Sequence, residues 1–448
     1  MGDNMKKFYL PIFLLLFFVF TFFSIQKLHF KDKGFAWQIP LRLSDITRRQ
    51  FGGPILSVIN PEHIIFSYLE SAMDSTVPII NASSINVYVR ELQNGILSNA
   101  INLTNNIYNS CWPIIKTDKK GITHFVWGQS SVTPSFLSYR RPTDIYYSFY
   151  NNNGWSVPES IFHKDTTGNS NSYVNGKFRI DYKNRLHLLW WVSDDVTGTS
   201  FYHKIEENCK WNETKRLPFR SADYDFVFDK NDRMHIVYFK PEYSGGYDEN
   251  SVYYRFSDDY GESWSDSVLV HKSGNQRGIK IQILADQKNN IHIIWTKHLT
   301  GNKFGGDAIY HSYSSDGVNW SEPKNAVPQS IDGFLYFSAA IDKNDRIHLV
   351  YDLWKGYVQL PVKLYYTCWD GSSWSVPEDI VDSAEWPSIE LDSLGYLHLL
   401  FVDVMKGYKY YTRTAKPVIT EADEKKITYR TNTDYTKTFR TRLIRKQQ

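Results

Sequence analysis

Apolar and polar residues alternate along most of this chain in short runs, separated by clusters of Asp, Asn, Gly and Ser. The stretch from Gly278 shows the pattern in full. Ile279 to Ala285 alternates, Asp286 to Asn290 is polar, and Ile291 to Lys297 is apolar again. A Gly-rich loop leads to Ala308 to Ser314, and a turn over Ser315 to Asn319 leads to Trp320-Ser321-Glu322-Pro323 and a last short strand. Period-two runs between turn clusters predict strands, not helices. The unit recurs. Asp118, Asp181, Asp229, Asp286, Asp342 and Asp392 are each followed six positions later by His124, His187, His235, His292, His348 and His398. An aromatic closes each copy: Trp127, Trp190, Tyr238, Trp295, Tyr351 and Phe401. The histidines lie 63, 48, 57, 56 and 50 residues apart, a period that marks a repeat architecture.

Four short antiparallel strands per repeat, radially arrayed, describe a blade of a β-propeller. Five full repeats also carry a Tyr-rich third strand, such as Ile145-Tyr146-Tyr147 and Leu364-Tyr365-Tyr366. Pro54 to Tyr68 opens a further blade, with His63 at the repeated position but no Asp before it. Leu397 to Val402 and Tyr408 to Arg413 belong to the last. The expectation is an all-β, seven-bladed propeller of four-stranded antiparallel blades over residues 35–420. A six-bladed ring would leave Pro54 to Thr104 outside. The last blade's fourth strand comes either from Val418 to Thr420 or from the N-terminal Trp37 to Leu43. The second choice pairs the two chain ends and removes exposed edges.

The N-terminus breaks the pattern. Lys6 and Lys7 precede an apolar run from Phe8 to Ile25, just long enough to cross a bilayer. Residues 1–34 are expected to be a signal anchor with a transmembrane helix, holding the propeller on the extracytoplasmic side of the cell membrane. Secretion after signal cleavage is the alternative. Residues 421–448 form a basic, Thr-rich tail without a core pattern. The formal charge of +3 gives no strong attraction to nucleic acid. Three scattered cysteines, Cys111, Cys209 and Cys368, fit neither a disulfide framework nor a cysteine metal site. No metal and no cofactor is expected, and the chain is read as a monomer.

Between third and fourth strands the turns become recognisable. Ser257-Asp258-Asp259-Tyr260-Gly261-Glu262-Ser263-Trp264 fits S-x-D-x-G-x-x-W at Ser257, Asp259, Gly261 and Trp264. Ser314 to Trp320 is one residue shorter, and Asp370 to Trp374 and Asn153 to Trp155 are more degraded. In these turns the chain resembles the sialidase-like superfamily of Asp-box (BNR repeat) propellers. The resemblance implies the fold and a hairpin device on the outer rim. It also implies where a sialidase would differ. Family members hold the substrate carboxylate with three arginines, the first in an Arg-Ile-Pro motif, beside an Asp acid/base and a Tyr nucleophile assisted by Glu. This chain has Gln38-Ile39-Pro40 instead, and seven blades in place of six. A polysaccharide lyase of similar repeat type would use a His/Tyr pair near a cation, and His203, His298 and His311 have the right residue type.

Six equivalent Asp–His pairs around a ring suit a structural hydrogen bond within each blade, not one catalytic centre. Function belongs where the repeats differ. Counting back from each repeated Asp, one face of the first strand is apolar, as in Phe228, Phe226 and Tyr224. The other face varies and supplies Trp112, Lys177, Arg179, Asp223, Asp225, Lys280, Gln282, Tyr336 and Trp386. Cations, carboxylates and flat aromatic surfaces in one concave place suit a sugar. Asp194, Asp195, Lys297, His298, Asp352, Trp354 and Asp403 lie in loops after second strands, and Arg179 and Arg277 have the charge to bind an acid. The expected function is glycan or cell-surface polysaccharide binding through the central funnel. A carbohydrate-active enzyme, a glycosidase or polysaccharide lyase, is the alternative, and a protein-interaction scaffold the third.

Overall fold

The computed structural model describes residues 37–44, 53–71, 85–104, 110–130, 143–151, 154–163, 173–194, 198–207, 210–218, 223–241, 250–272, 277–298, 308–327, 336–355 and 359–418. The apolar run at the N-terminus and the basic tail lie outside them. Among the described residues no helix is long and apolar enough to cross a membrane.

Seven antiparallel sheets follow one another along the chain. Their first strands are Ile55–Asn60, Ser110–Thr117, Tyr173–Ile180, Tyr224–Phe228, Arg277–Ala285, Phe337–Ile341 and Ala384–Leu391. Each first strand touches the next, and the last touches the first, so the seven close a ring around one axis. The fold is a seven-bladed β-propeller. In blades one to three the outermost strand is split into two short pieces on the third strand.

The Asp turn shows why each blade begins as it does. In blade six Asp342 Oδ1 accepts the backbone N–H groups of Asn344 and Arg346, at 2.8 and 3.0 Å. Its other oxygen faces His348 Nε2 at 3.3 Å. The other five pairs span 3.2 to 3.6 Å. A carboxylate that accepts from its own turn substitutes for ladder bonds that the turn cannot make. The histidine's Nδ1 in turn reaches the third strand: Tyr147, Tyr254, Tyr366 and Tyr411 in four blades, His203 and His311 in two, at 2.6 to 3.0 Å. Because Nε2 donates to the aspartate, Nδ1 accepts, and the tyrosine or second histidine donates.

Cores form between blades. Blades three and four share Leu189, Phe201, Tyr224, Phe226 and Ile236, with Trp264 packed against them. Trp155, Trp211, Trp320 and Trp374 repeat this at other junctions, Trp155 and Trp211 from the first short piece of the split outermost strand and Trp320 and Trp374 from the turn before it. Every one packs back onto the preceding blade, which large aromatic rings do best because they bury most area per residue.

Blade seven is closed by the N-terminal strand. Leu41 and Arg42 pair with Tyr411 and Tyr410, and Trp37 bridges Thr414. Of the two candidates for this role, the chain uses the start. Val418 lies elsewhere: its N–H donates to Gly395 O at 2.9 Å, and its carbonyl accepts from Arg346 Nη2 at 2.6 Å.

Candidate functional site

The first strands run from the face opposite the Asp turns towards those turns, so their beginnings share one end of the axis, called the mouth here. Trp112 and Trp386 sit at equivalent places, each before a proline. In both blades the ladder slips there, between Cys111 and Ile114 and between Glu385 and Ser388. Both tryptophans take positive φ, 34° and 53°. A bulge at a strand start re-aims a side chain. Trp112 turns onto Gly128 and Gly176, where a Cβ would meet its ring at 2.5 and 3.3 Å, so it packs between blades two and three. Trp386 is 7% exposed, and its ring meets Tyr336 edge-on at 5.7 Å. Trp386 is buried and Trp112 is partly buried against its neighbours, while Tyr336 is 40% exposed.

Several charged candidates build the wall. Arg179 donates from Nη2 to Asp225 Oδ1 at 2.5 Å and from Nε to Phe226 O at 3.0 Å. Asp225 is buried, and its second oxygen accepts the Ile283 N–H at 3.3 Å. One ion pair therefore ties blades three, four and five. Gln282 extends the wall to blade six: its amide donates to Ala339 O at 2.7 Å and accepts from Ala339 N at 3.0 Å, as a strand would. Arg179 is thus engaged by its neighbours, and the expected free acid-binding arginine is instead a strut.

Lys177, Asp223 and Lys280 form a charged group at the mouth. Burial lowers the proton affinity of Lys280 to about 8, and repulsion by Lys177 adds to it; Asp223, Asp352 and Asp225 oppose. Lys280 donates to Phe337 O and lies over the Phe337 and Tyr336 rings. Burial raises the carboxyl of Asp223, against the pull of Lys177 and Lys280. The Lys177 side chain makes no hydrogen bond or ion pair among the described residues, while its backbone pairs with Leu189 in the blade. Perturbed ionisable groups that gather in one place mark candidate functional sites.

Asp352, expected in a loop, lies inside the second strand Ile347–Lys355, as Asp194, Lys297, His298, Trp354 and Asp403 lie in second strands of their blades. Asp352 is fully buried and accepts the Tyr336 N–H at 2.9 Å and the Trp386 N–H at 3.2 Å. One carboxylate thereby fixes the starts of two first strands and the aromatic pair they carry. The readable signal is a charge directly after the aromatic that closes the second strand. Below the mouth, Lys116 and Glu390 pair at 3.1 Å between blades two and seven, past the strand of blade one.

Other candidates fall away from the mouth. His203 and His311 are 2% and 1% exposed inside their blades, bonded to His187 and His292. They are blade-core residues, which corrects their candidacy as lyase bases. Lys297 reaches Tyr310 OH at 3.3 Å, and Asp403 caps the turn N–H groups of Met405 and Lys406. Gln38-Ile39-Pro40 runs along the outer edge of blade seven, with Ile39 93% exposed, so no acid-binding arginine belongs at that position. Asp195 and the side chains of Asn175, Asp194, Arg277, His298 and Trp354 lie outside the described residues. No group of three or more His, Cys, Asp or Glu able to hold a metal occurs among the described residues.

The box turn is also built as its residues imply. Gly261 N–H donates to Ser257 Oγ at 2.7 Å, and Asp259 Oδ1 accepts from Ser263 N at 2.7 Å. Gly261 has φ 89° and comes within contact of His203 in the preceding blade, so a side chain there would be both strained and crowded.

No protein-family model and no curated sequence matches the chain. Solved structures do. An ulvan lyase bound to -[GlcA(1-4)Rha3S]- superposes with TM-score 0.54 and 10% identity, over 89% of this chain and 99% of its own. A second polysaccharide lyase gives 0.50 and 10%, over 87% and 94%. A Hadza microbial sialidase gives 0.48 and 10%, over 75% and 74%. At such identities the two lyases share the fold with this chain.

Proposed function

We propose that the propeller binds an acidic polysaccharide at the mouth of its central axis, with Lys177 and Lys280 facing the acid groups and Tyr336 stacking on a sugar ring. The observation that carries this reading is Lys177. Its side chain makes no hydrogen bond or ion pair among the described residues; it acts on Asp223 and Lys280 through charge alone, and Lys280 lies over the half-exposed Tyr336 held in place by Asp352. A lysine already paired would gain little from a ligand's acid, whereas an unpaired one gains a charge-assisted hydrogen bond. The shared fold with lyases, one of them bound to a glucuronate-containing saccharide, supports a glycan over a protein ligand. The apolar run Phe8 to Ile25 belongs to the same proposal as an anchor, with the mouth on the extracytoplasmic side. Resistance to alkaline extraction, with protease access to the propeller on intact cells, is the expected result.

The binding test uses the full chain and a panel of neutral, carboxylated and sulfated polysaccharides. Lys177→Ala is expected to weaken binding to acidic members about tenfold, the equivalent of ~1.4 kcal/mol, with an unchanged melting temperature. Tyr336→Ala is expected to weaken binding further. Equal binding by wild type and both variants, or no preference for acidic chains, would remove the reading. A lyase is the second reading, favoured by the lowered Lys280 and raised Asp223 side by side. Appearance of unsaturated sugar absorbance on incubation with uronate polymers would establish it.

A further inference from the structure

Four residues after each repeated histidine, the second strands of blades two to seven carry Gly128, Trp191, Phe239, Thr296, Asp352 and Val402. Of these, Thr296 and Asp352 alone have a side-chain oxygen, and both are fully buried. They belong to blades five and six, whose first strands begin with Lys280 and Tyr336 at the mouth. In blade five the ladder slips between Gly278 and Ile281, so Lys280 stands on a bulge, as Trp112 and Trp386 do in their blades. The Lys280 N–H donates to Thr296 Oγ1 at 2.9 Å, and the same hydroxyl faces the Lys280 carbonyl at 3.4 Å.

Blade six repeats the device with a carboxylate. Asp352 accepts the Tyr336 N–H at 2.9 Å, and its own N–H donates to the Tyr336 carbonyl at 3.1 Å. One residue thus holds both backbone groups of each mouth residue. The two held residues also meet: Lys280 Nζ donates to the Phe337 carbonyl and lies 6.0 Å from the centre of the Tyr336 ring. The second Asp352 oxygen takes the Trp386 N–H and so fixes the ring against which Tyr336 stands edge-on. Strand pairing does not require such side chains, since the first two strands of blades three and four pair with Trp191 and Phe239 at the same place. The clamps occur where the repeat presents Lys280 and Tyr336.

We infer that Thr296 and Asp352 are positioning residues for carbohydrate binding at the mouth: they hold Lys280 and Tyr336 as one preformed unit that receives an acid group and a sugar ring of the same chain. The inference rests on the reading of the mouth given above. Both residues are buried behind the strand starts, so each acts through the residue it clamps. A lysine and a tyrosine that are already ordered lose less freedom when a ligand arrives, and that saving appears as affinity. Asp352 contributes a charge as well. Burial lowers Lys280 to about 8, and Lys177 of blade three adds to the effect. Three carboxylates oppose it: Asp223 and Asp225 of blade four, the latter paired with Arg179, and Asp352 of blade six. Lys280 therefore loses its positive charge as pH rises through about 8, and loses it sooner where Asp352 is neutral.

Binding of the full chain to heparin and to polygalacturonate, one sulfated and one carboxylated chain, tests this as a function of pH. Thr296→Val keeps the shape but removes the hydroxyl, and is expected to weaken binding about fivefold, whereas Thr296→Ser keeps the hydroxyl and is expected to bind as wild type does. His348→Ala, which loses stability inside blade six without touching the mouth, sets the baseline for a purely structural loss and is expected to keep its affinity. The pH profile separates position from charge. Wild-type binding is expected to fall as pH rises through about 8. Asp352→Asn keeps an oxygen beside the N–H groups but removes the charge, so its midpoint is expected to lie lower by about half a unit or more, while Thr296→Val keeps the wild-type midpoint. Where Asp352→Asn does not fold, the two Thr296 variants decide. Wild type that binds neither polymer overturns the reading of the mouth and this inference with it. Wild type that binds, with Thr296→Val equally tight or Thr296→Ser equally weakened, overturns this inference alone, and an unmoved midpoint in folded Asp352→Asn overturns the role of its charge.

Discussion

A proton added to His187 would make donors of both its ring nitrogens, facing a His203 nitrogen that already donates. Burial lowers the proton affinity of His187, and it lowers those of His203 and His311 much further, with repulsion from the paired histidine adding to the latter two. The folded state then binds fewer protons than the unfolded chain below the ordinary histidine value of about 6.5, so stability falls as pH drops through that range. Asp181, Asp286 and Asp342 act lower. Burial opposes their ionisation, but bonds from the histidine and the turn outweigh it and hold them at about 2. Their contribution is complete above about pH 4 and is lost as pH falls towards 2. The melting temperature is therefore expected to decline in two stages, from pH 7 to 5 and from 4 to 2. Replacing His203 and His311 by Tyr, which four other blades use, should flatten the first stage. A first stage unaltered by that double change would exclude these two histidines as its source. His348→Ala removes one hydrogen-bond partner from each of the buried Asp342 and Tyr366 and is expected to lower unfolding free energy by about 1–3 kcal/mol in urea titration, with ligand affinity per folded molecule unchanged.

At the scale of strands and turns, close approach between blades sets the tolerance to change. A Cβ at Gly278 would lie 2.2 Å from the Phe239 ring of the preceding blade. Gly278→Ala is expected to cost about 1–3 kcal/mol through forced displacement, read in the same titration, whereas Gly154→Ala, with open space around it, costs only its backbone strain. This contrast also marks what the chain reveals on reading. Alternation, Asp turns and box turns are local, and from them the blades, their number and their strand order follow. The contacts across blades are not local. Arg179 meets Asp225 46 residues on, Gln282 meets Ala339 57 on, and Asp352 meets Trp386 34 on, with no common spacing to reveal them. A tryptophan before proline likewise gives no sign that a bulge will turn its ring sideways, which is why Trp112 and Trp386 read as open sugar platforms and pack as wall. Lys177, Lys280 and Tyr336 were legible as candidates because their positions break the repeat.

In the whole molecule, the ring has one seam made by residues distant in sequence. Thr412 donates to the Gln38 carbonyl, 374 residues away, at 2.7 Å, and Lys409 N–H reaches Ser44 Oγ at 3.0 Å. Removing residues 37–44 would expose the edge strand Lys409–Arg413 and the apolar cluster around Leu43, Leu56 and Tyr411. The expected outcome is concentration-dependent association through that edge, seen by light scattering, with proteolysis starting in blade seven; a truncated chain that stays monodisperse and equally protease-resistant would mean the seam contributes little. The seam also imposes an order of events in biosynthesis. Leu41 and Arg42 are made early, yet their partners Tyr410 and Tyr411 are among the last propeller residues to be added. At usual translation rates of about 5–20 residues per second, the first strand waits some twenty to seventy seconds for them. By the end of that interval six blades have been made while the strand that will lock them is still unpaired. A chain halted by the ribosome before Tyr410 would be an open arc with two adhesive ends, and the ring cannot close until Lys409–Arg413 has been made.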